Sequence, residues 1–239
     1  MAAQAGVRYS IQNPETYFKN NTEVFFNILE ASRLYKINHL LFASTSSVYG
    51  ENLNIPSAEN FNTDKPLSIY AATKKSNEVM AYSYSNIFNL PCTGLRFFTV
   101  YGPYGRPDMA LFKFTKNILE NKKIELFNNG NHARDFTYID DVINGIFSII
   151  NKPKKHKIPY NIFNIGNKNS KKLKEYIKCI EINLGLKAKI KKLPLQKGDI
   201  KKTHSDIAKL NLYAGYNPRI SIEVGIKKFI DWYKEYYKY

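Results

Sequence analysis

The sequence predicts an α/β fold in which the strands of a parallel sheet alternate with crossover helices. Three short apolar segments, His39–Ala43, Thr93–Phe98 and Asn161–Ile165, have the length and composition of buried strands. Longer segments with helical spacing, Pro14–Tyr35 and Tyr70–Asn89, precede the first two of them. This alternation is typical of a parallel sheet that is covered by helices.

Individual residues justify these elements in turn. In the first helix, Phe25, Ile28 and Leu29 recur at the spacing of a single helix face. The strand that follows ends in a polar turn, 44–47. Pro91 ends the second helix, because a proline interrupts the helical hydrogen bonding.

The remaining segments predict a less regular second lobe. Helices are predicted at Ala110–Glu120, Asp141–Asn151 and Ile220–Tyr237, with the stretch Ile124–Thr137 between the first two. After the third strand, Ser170 is a suitable N-cap for a further helix. We therefore expect pieces of this lobe to be inserted between pieces of the sheet.

Composition excludes several classes of protein. The chain has 239 residues, 44% of them hydrophobic, which is enough for a buried core. No apolar run approaches the length of a membrane span, and the N-terminus lacks the pattern of a signal peptide. The two cysteines, Cys92 and Cys179, have no metal-type spacing. We expect a reduced, cytoplasmic protein without a metal site.

The formal net charge of +16 has two interpretations. It could mark a nucleic-acid surface, or it could be a solvated, lysine-rich surface that weakly attracts an anionic substrate. Since no helix-turn-helix, zinc-finger or ribonucleoprotein pattern accompanies the charge, the second interpretation is favoured. No nucleic-acid partner and no membrane partner is expected.

The chemistry is predicted to centre on Tyr70 and Lys74. Four residues apart on a helix, the two side chains share one face. A neighbouring ammonium favours the phenolate, so Tyr70 could act as a general base near neutral pH. Taken alone, the pair could equally be an exposed tyrosine beside a surface lysine. Thr45 strengthens the catalytic interpretation, because it follows a predicted strand at the end where parallel sheets bind ligands.

Together these segments resemble the extended short-chain dehydrogenase/reductase family, and most closely its UDP-glucuronate 4-epimerases, which are enzymes of bacterial capsule and lipopolysaccharide biosynthesis with plant counterparts. The resemblance runs almost from end to end of the chain. Its most specific stretches occur in order: 43–50 (ASTSSVYG), 70–75 (YAATKK), 95–103 (LRFFTVYGP), 105–114 (GRPDMALFKF) and 134–141 (RDFTYIDD). The resemblance implies a Rossmann-type doubly wound sheet with a small substrate lobe. Residues 1–102 and 135–166 would form the sheet domain, and 103–134 and 167–239 mainly the lobe.

The resemblance also implies a mechanism with bound NAD as cofactor. Tyr70 would remove the proton from the sugar 4-hydroxyl, Lys74 would hold the nicotinamide ribose, and Thr45 would bond the reacting oxygen. Hydride would leave C4 and return to the other face of a 4-keto intermediate. The residues that would line the NAD site are Ala2, Ala3, Asn21, Ser44, Tyr70, Lys74, Phe97 and Phe98. Those that would hold the UDP-sugar are Thr45, Ser46, Ser47, Thr99, Arg106, Arg134 and Asp199. A homodimer is implied for the full-length protein.

The turn after Thr45 distinguishes among relatives. Dehydratases of this kind carry an Asp-Glu pair there and decarboxylases a Glu, whereas this chain has Ser46 and Ser47. Serine hydroxyls are poor proton-transfer groups but can hold a uronate carboxylate. Plain epimerisation of UDP-glucuronate to UDP-galacturonate is therefore favoured. A UDP-N-acetylhexosamine 4-epimerase, a nucleotide-sugar decarboxylase or dehydratase, and a non-catalytic binding module remain alternatives.

The Gly-x-x-Gly-x-x-Gly loop of that family does not occur in the 239 residues, where Gly6 is followed by no glycine before Gly50. The chain resembles an N-terminally truncated enzyme, and the expectation is a fragment that is inactive and aggregates as given. Backbone amides of such a loop supply much of the affinity for the pyrophosphate. A real product that serves as a binding module is the alternative.

Overall fold

The computed structural model describes residues 3–51 and 54–239. In it, strands and helices alternate as predicted. The helices are α1 Val7–Gln12, α2 Pro14–Tyr17, α3 Val24–Leu34, α4 Ile69–Phe88, α5 Ala110–Leu119, α6 Ile139–Ile149, α7 Leu173–Leu184, α8 Ala208–Ala214 and α9 Ile222–Tyr237. The strands are β1 Leu40–Thr45, β2 Cys92–Phe97, β3 Thr99–Tyr101, β4 Lys123–Leu126, β5 Ala133–Tyr138, β6 Tyr160–Ile165, β7 Ser170–Lys172 and β8 Lys189–Lys192.

The three predicted strands form one parallel sheet in the order β1-β2-β6. Leu40 lies opposite Cys92, which in turn lies opposite Tyr160, so the carboxyl ends of all three strands meet at one edge. The predicted α/β architecture is confirmed. One detail differs: Ser44 and Thr45 belong to β1 and not to the turn after it.

Helix α4 covers this sheet and positions the predicted catalytic pair. Ser68 caps its N-terminus by accepting a hydrogen bond from the Ala71 amide at 3.2 Å. Further toward the C-terminal end of α4, Ala81 packs with Leu29 and Phe42 in a buried cluster. The first predicted helix is likewise present, although its middle turn, Phe18–Glu23, is a π-helix.

A buried ion pair joins α4 to the middle strand. Arg96 donates to both carboxylate oxygens of Glu78 at 2.8 Å, and both side chains are only 4% exposed. The Ser44 hydroxyl donates to the same carboxylate at 2.6 Å. The Tyr49 ring lies 4.8 Å from the guanidinium carbon of Arg96. Removal of any one charge would leave its partner buried and uncompensated.

The second lobe is built around β3, β5 and β7 and the small parallel sheet of β4 and β8. Its core is aromatic: Tyr101 packs edge-on against Phe136, Tyr138 and Tyr176. Helix α9 closes the lobe by burying Phe229 and other residues on one face. Among the described residues, this lobe therefore has its own hydrophobic core, separate from the hydrophobic clusters of the parallel sheet.

Two features of the second half were not anticipated. Ser170 is not an N-cap, because it begins strand β7 and the helix after it starts at Leu173 without a side-chain cap. Helix α8 packs its Leu210 with Leu95 and Phe163 of the parallel sheet.

The predicted division into a sheet domain (residues 1–102 and 135–166) and a substrate lobe (residues 103–134 and 167–239) stays a prediction. None of the described helices is long and apolar enough to cross a membrane.

Candidate active site

The predicted catalytic residues meet at the carboxyl end of β1. Lys74 is 5% exposed, and its ammonium donates to the Ala43 carbonyl at 3.0 Å, which ties α4 to the strand. Tyr70 lies one helical turn earlier and hydrogen-bonds with the side chain of Thr45. The three residues that the sequence placed in one site are therefore close together. An ammonium has three donors, so Lys74 can bond a ligand hydroxyl besides Ala43.

Burial acts on both titrating groups of this site. It raises the pKa of the Tyr70 phenol, while the Thr45 hydroxyl and the Arg106 charge oppose the rise. Burial also lowers the pKa of Lys74 to about 8, so its ammonium is charged at neutral pH. In the protein alone Tyr70 is thus a neutral phenol. Further positive charge beside the phenol would be needed to make it a base.

The hydroxyl groups at the end of β1 and in the turn after it differ in what they contact. Thr45 accepts from the Ser47 amide at 3.2 Å and donates to the Ser47 hydroxyl at 3.3 Å. Ser46 lines a cavity with Phe98, Lys202 and Thr203 among others. Ser44 is committed to Glu78, so its predicted place in the cofactor site would have to use the backbone or a remaining lone pair.

Asn21 fastens the N-terminal segment to α4. It exchanges two hydrogen bonds with the backbone of Gln4, at 2.8 and 2.9 Å, and donates to the Thr73 hydroxyl at 3.1 Å. Ala3, one residue earlier, is exposed. Ala2 lies outside the described residues. The predicted contacts of Asn21 and Ala3 with a cofactor remain predictions.

Arg134 does not pair with Asp135, as a surface arginine might have done. It donates to Asp199 at 2.8 Å, which joins two residues predicted for the substrate site. Asp135 is fully buried and accepts from Ser205 and the Asn167 amide instead. The Arg134–Asp199 pair stands on β5 and on the loop after β8.

The remaining predicted site residues lie in two places. Arg106 is paired with Asp108 and lies near enough to Tyr70 to lower its pKa. Thr99 and Arg106 line one cavity. Phe98 is buried beside Tyr49, and Phe97 is half-buried against the core of the sheet. The substrate and cofactor roles of these residues stay predictions.

Two residues that lie against predicted site residues were not singled out by the sequence. Tyr17 packs edge-on against Tyr70, with 6.1 Å between ring centroids, and its hydroxyl donates to the Gly6 carbonyl at 2.6 Å. His132 is buried beside Asp199. No spacing rule singles out either residue, since Tyr17 is one of 18 tyrosines and His132 follows no motif. Among the described residues, no cluster of three or more His, Cys, Asp or Glu could hold a metal ion.

Comparison with known proteins places this geometry in a family. Residues 1–166 match the NAD dependent epimerase/dehydratase family. The chain is 49% identical to protein CapI of Staphylococcus aureus, over all of this chain and 75% of that protein. It is 40% identical to a probable UDP-glucuronate 4-epimerase of Rhizobium meliloti, over all of this chain and 74% of that protein.

A solved structure shows the same likeness. The UDP-glucuronic acid 4-epimerase of Bacillus cereus, in complex with UDP-glucuronic acid and NAD, superposes with a TM-score of 0.93 at 36% identity, over 99% of this chain and 74% of that one. The chain therefore belongs to the NAD dependent epimerase/dehydratase family. Its Rossmann-type fold, its cofactor NAD and its class, an NAD-dependent sugar-nucleotide epimerase, are as predicted.

The described residues fit this cofactor. Lys74, one helical turn after Tyr70, presents a buried ammonium with free donor capacity, as a ribose hydroxyl requires. Within the described part of the chain, the buried Oδ1 atom of Asn77, on the same helix, has no hydrogen-bond partner. A polar group of a bound molecule would satisfy it.

Proposed function

We propose that this protein interconverts UDP-glucuronate and UDP-galacturonate by epimerisation at C4. The observation that carries the proposal is the meeting of Tyr70, Thr45 and Lys74 at the end of β1. This arrangement brings a phenol, a hydroxyl and an ammonium to the end of one strand, and these are groups that proton removal from an alcohol can use. The relatives named above support the choice of substrate.

In the proposed reaction, Tyr70 takes the proton of the sugar 4-hydroxyl and later returns it. Thr45 bonds the reacting oxygen and holds it beside the phenol. Lys74 binds a cofactor hydroxyl and keeps positive charge on the side of Tyr70. When bound, NAD supplies the acceptor and donor of the hydride. Arg134 would clamp the diphosphate through charge-assisted hydrogen bonds.

The side chains after Thr45 support a uronate and an unbroken carbon skeleton. Ser46 and Ser47 are half-buried hydroxyls that can donate to a carboxylate without adding negative charge. Neither can serve as the acid or base that removal of water would need. The same hydroxyls would also accommodate an N-acetylhexosamine, and an assay with both UDP-sugars distinguishes the two substrates.

The test is an assay of the 239-residue chain with NAD and UDP-glucuronate, followed by separation of the products. Because the sequence lacks the glycine loop, a second protein should carry the loop and flanking strands of the Staphylococcus aureus relative before Met1. We expect UDP-galacturonate and no net NADH from the second protein, and no turnover by the 239-residue chain alone. A UDP-pentose with released carbon dioxide would contradict the proposal, and so would turnover of UDP-N-acetylglucosamine alone.

We also propose that the protein forms a homodimer joined through α3 and α4. Both helices carry exposed apolar side chains, among them Leu34 on α3 and Val79 and Ile87 on α4, which are 64%, 53% and 65% exposed. Apolar surface of this kind is typical of interfaces. Light scattering should give twice the monomer mass, and Val79→Lys with Ile87→Lys should halve it. Leu212→Lys with Phe147→Lys, at two exposed positions outside α3 and α4, is the control. A monomer in the unsubstituted protein would contradict this proposal.

A further inference from the structure

His132 has a buried ring nitrogen for which the described residues provide no hydrogen bond. The residue is 7% exposed, and its Nε2 atom is without a partner. Oδ2 of Asp199 lies 3.4 Å from this atom. The other oxygen of that carboxylate accepts from Arg134 at 2.8 Å. Asp199 is thus shared between an arginine that always bonds it and a histidine that bonds it only when protonated.

The surroundings determine which form of His132 is present. The ring hydrogen-bonds the Phe127 carbonyl, and since Nε2 has no partner, this bond belongs to Nδ1. In the neutral ring, Nε2 then carries a lone pair that faces a carboxylate oxygen. Burial and the charges of Arg134 and Arg8 lower the pKa of His132, whereas Asp199 and the Phe127 bond raise it. The lowering effects are larger, so the ring is neutral at pH 7.

The same loop geometry links Asp199 to the rest of the site. Arg134 also donates to the Lys201 carbonyl at 3.1 Å, so it holds both the side chain and the backbone of this loop. Gly198, with a φ of +75°, faces α1 so closely that an added Cβ would lie 3.5 Å from the Val7 side chain and 3.7 Å from that of Ile11. A change in the bonding of Asp199 therefore acts on the loop and on the charge that Arg134 can offer a ligand.

We propose that His132 is a positioning residue for the nucleotide-sugar: its protonated Nε2 bonds Asp199, and this leaves more of the Arg134 charge for the anionic ligand. The inference rests on the proposed function, in which Arg134 binds the diphosphate. A bound anion favours the charged ring and raises the pKa of His132. Binding then takes up a proton, so the nucleotide-sugar binds more tightly as the pH falls.

The test measures the affinity of UDP-glucose by calorimetry between about pH 8 and about pH 5, the range in which histidine titrates. UDP-glucose is a suitable probe because its diphosphate has no ionisation in that range. We expect the affinity of the unsubstituted chain to rise about tenfold as the pH falls, which corresponds to a rise of about one pH unit in the pKa of His132 on binding. Its ring signals in NMR spectra should show that rise directly.

Variants separate this role from a merely structural one. His132→Gln supplies a permanent amide donor to Asp199, so its affinity should stay near the low-pH value throughout. His132→Met should bind weakly throughout, and His156→Gln, at an exposed position, should behave like the unsubstituted chain. A pH dependence that persists in His132→Gln would overturn the inference and leave the proposed function intact. No binding of UDP-glucose or UDP-glucuronate by the folded chain would contradict the proposed function itself.

Discussion

Replacing Tyr70 by Phe should lower kcat for epimerisation by about a thousandfold, because general acid–base catalysis contributes on the order of 10²–10⁴ to a rate. The substitution removes only the phenol oxygen. The edge-on contact of the ring with Tyr17 should remain, as should the bond of Lys74 to Ala43. Binding of the UDP-sugar should therefore change little. The measurement compares kcat with the dissociation constant of UDP-glucuronate in the same protein preparation.

Tyr82→Phe is the matched control, since Tyr82 stands on the same helix, is 47% exposed and packs against Tyr160 away from the site. It should retain nearly full activity. A Tyr70→Phe variant with more than about a tenth of the normal kcat would show that Tyr70 is not the general base. A loss of UDP-sugar binding equal to the loss of rate would assign it to binding instead.

Breaking the Arg96–Glu78 pair should cost about 3–5 kcal/mol of unfolding free energy, the usual cost of leaving one charge of a buried pair without its partner. Glu78→Gln removes the charge and keeps the shape. The buried Arg96 guanidinium would then face a neutral amide, and Ser44 would keep a hydrogen-bond acceptor. For a chain of this size the loss corresponds to a fall of roughly 10 °C in Tm. Denaturant titration measures the free energy.

Asp231→Asn is the control for this prediction, because it breaks the ion pair with Lys227 on exposed turns of α9. Surface pairs of this kind contribute little, so the change should stay within about 0.5 kcal/mol. The double substitution of Glu78 and Arg96 by Met should recover much of the stability that Glu78→Gln loses, since two apolar groups leave no unpaired charge. Equal losses for Glu78→Gln and Asp231→Asn would contradict the argument.

The local pattern of apolar and polar residues was sufficient to predict most of the fold. The strands around Phe42, Leu95 and Phe163 are short apolar runs between helices, and a parallel sheet is the arrangement that buries both faces of such strands. Helix α4 was predicted to within a residue or so because Pro91 follows it closely. Ser170 shows the limit: a serine before a helical pattern suits an N-cap, but pairing with β5 placed it in a strand.

The proximity of the three predicted catalytic residues was likewise predictable, because they belong to neighbouring elements of the chain. Tyr70 and Lys74 are one helical turn apart, and Thr45 ends the strand on which that helix packs. Local spacing and the geometry of parallel sheets suffice to bring them together.

Sequence by itself thus determined the fold class, the alternation of the sheet strands with their helices and the proximity of Tyr70, Lys74 and Thr45. Only the tertiary structure decided that Arg134 pairs with Asp199, 65 residues away, and that His132 lies against the same carboxylate. These contacts join the start of β5 to the loop after β8. The physical reason is range: hydrogen bonding and side-chain periodicity act over a few residues, whereas the partners of a buried charge are set by how distant elements pack.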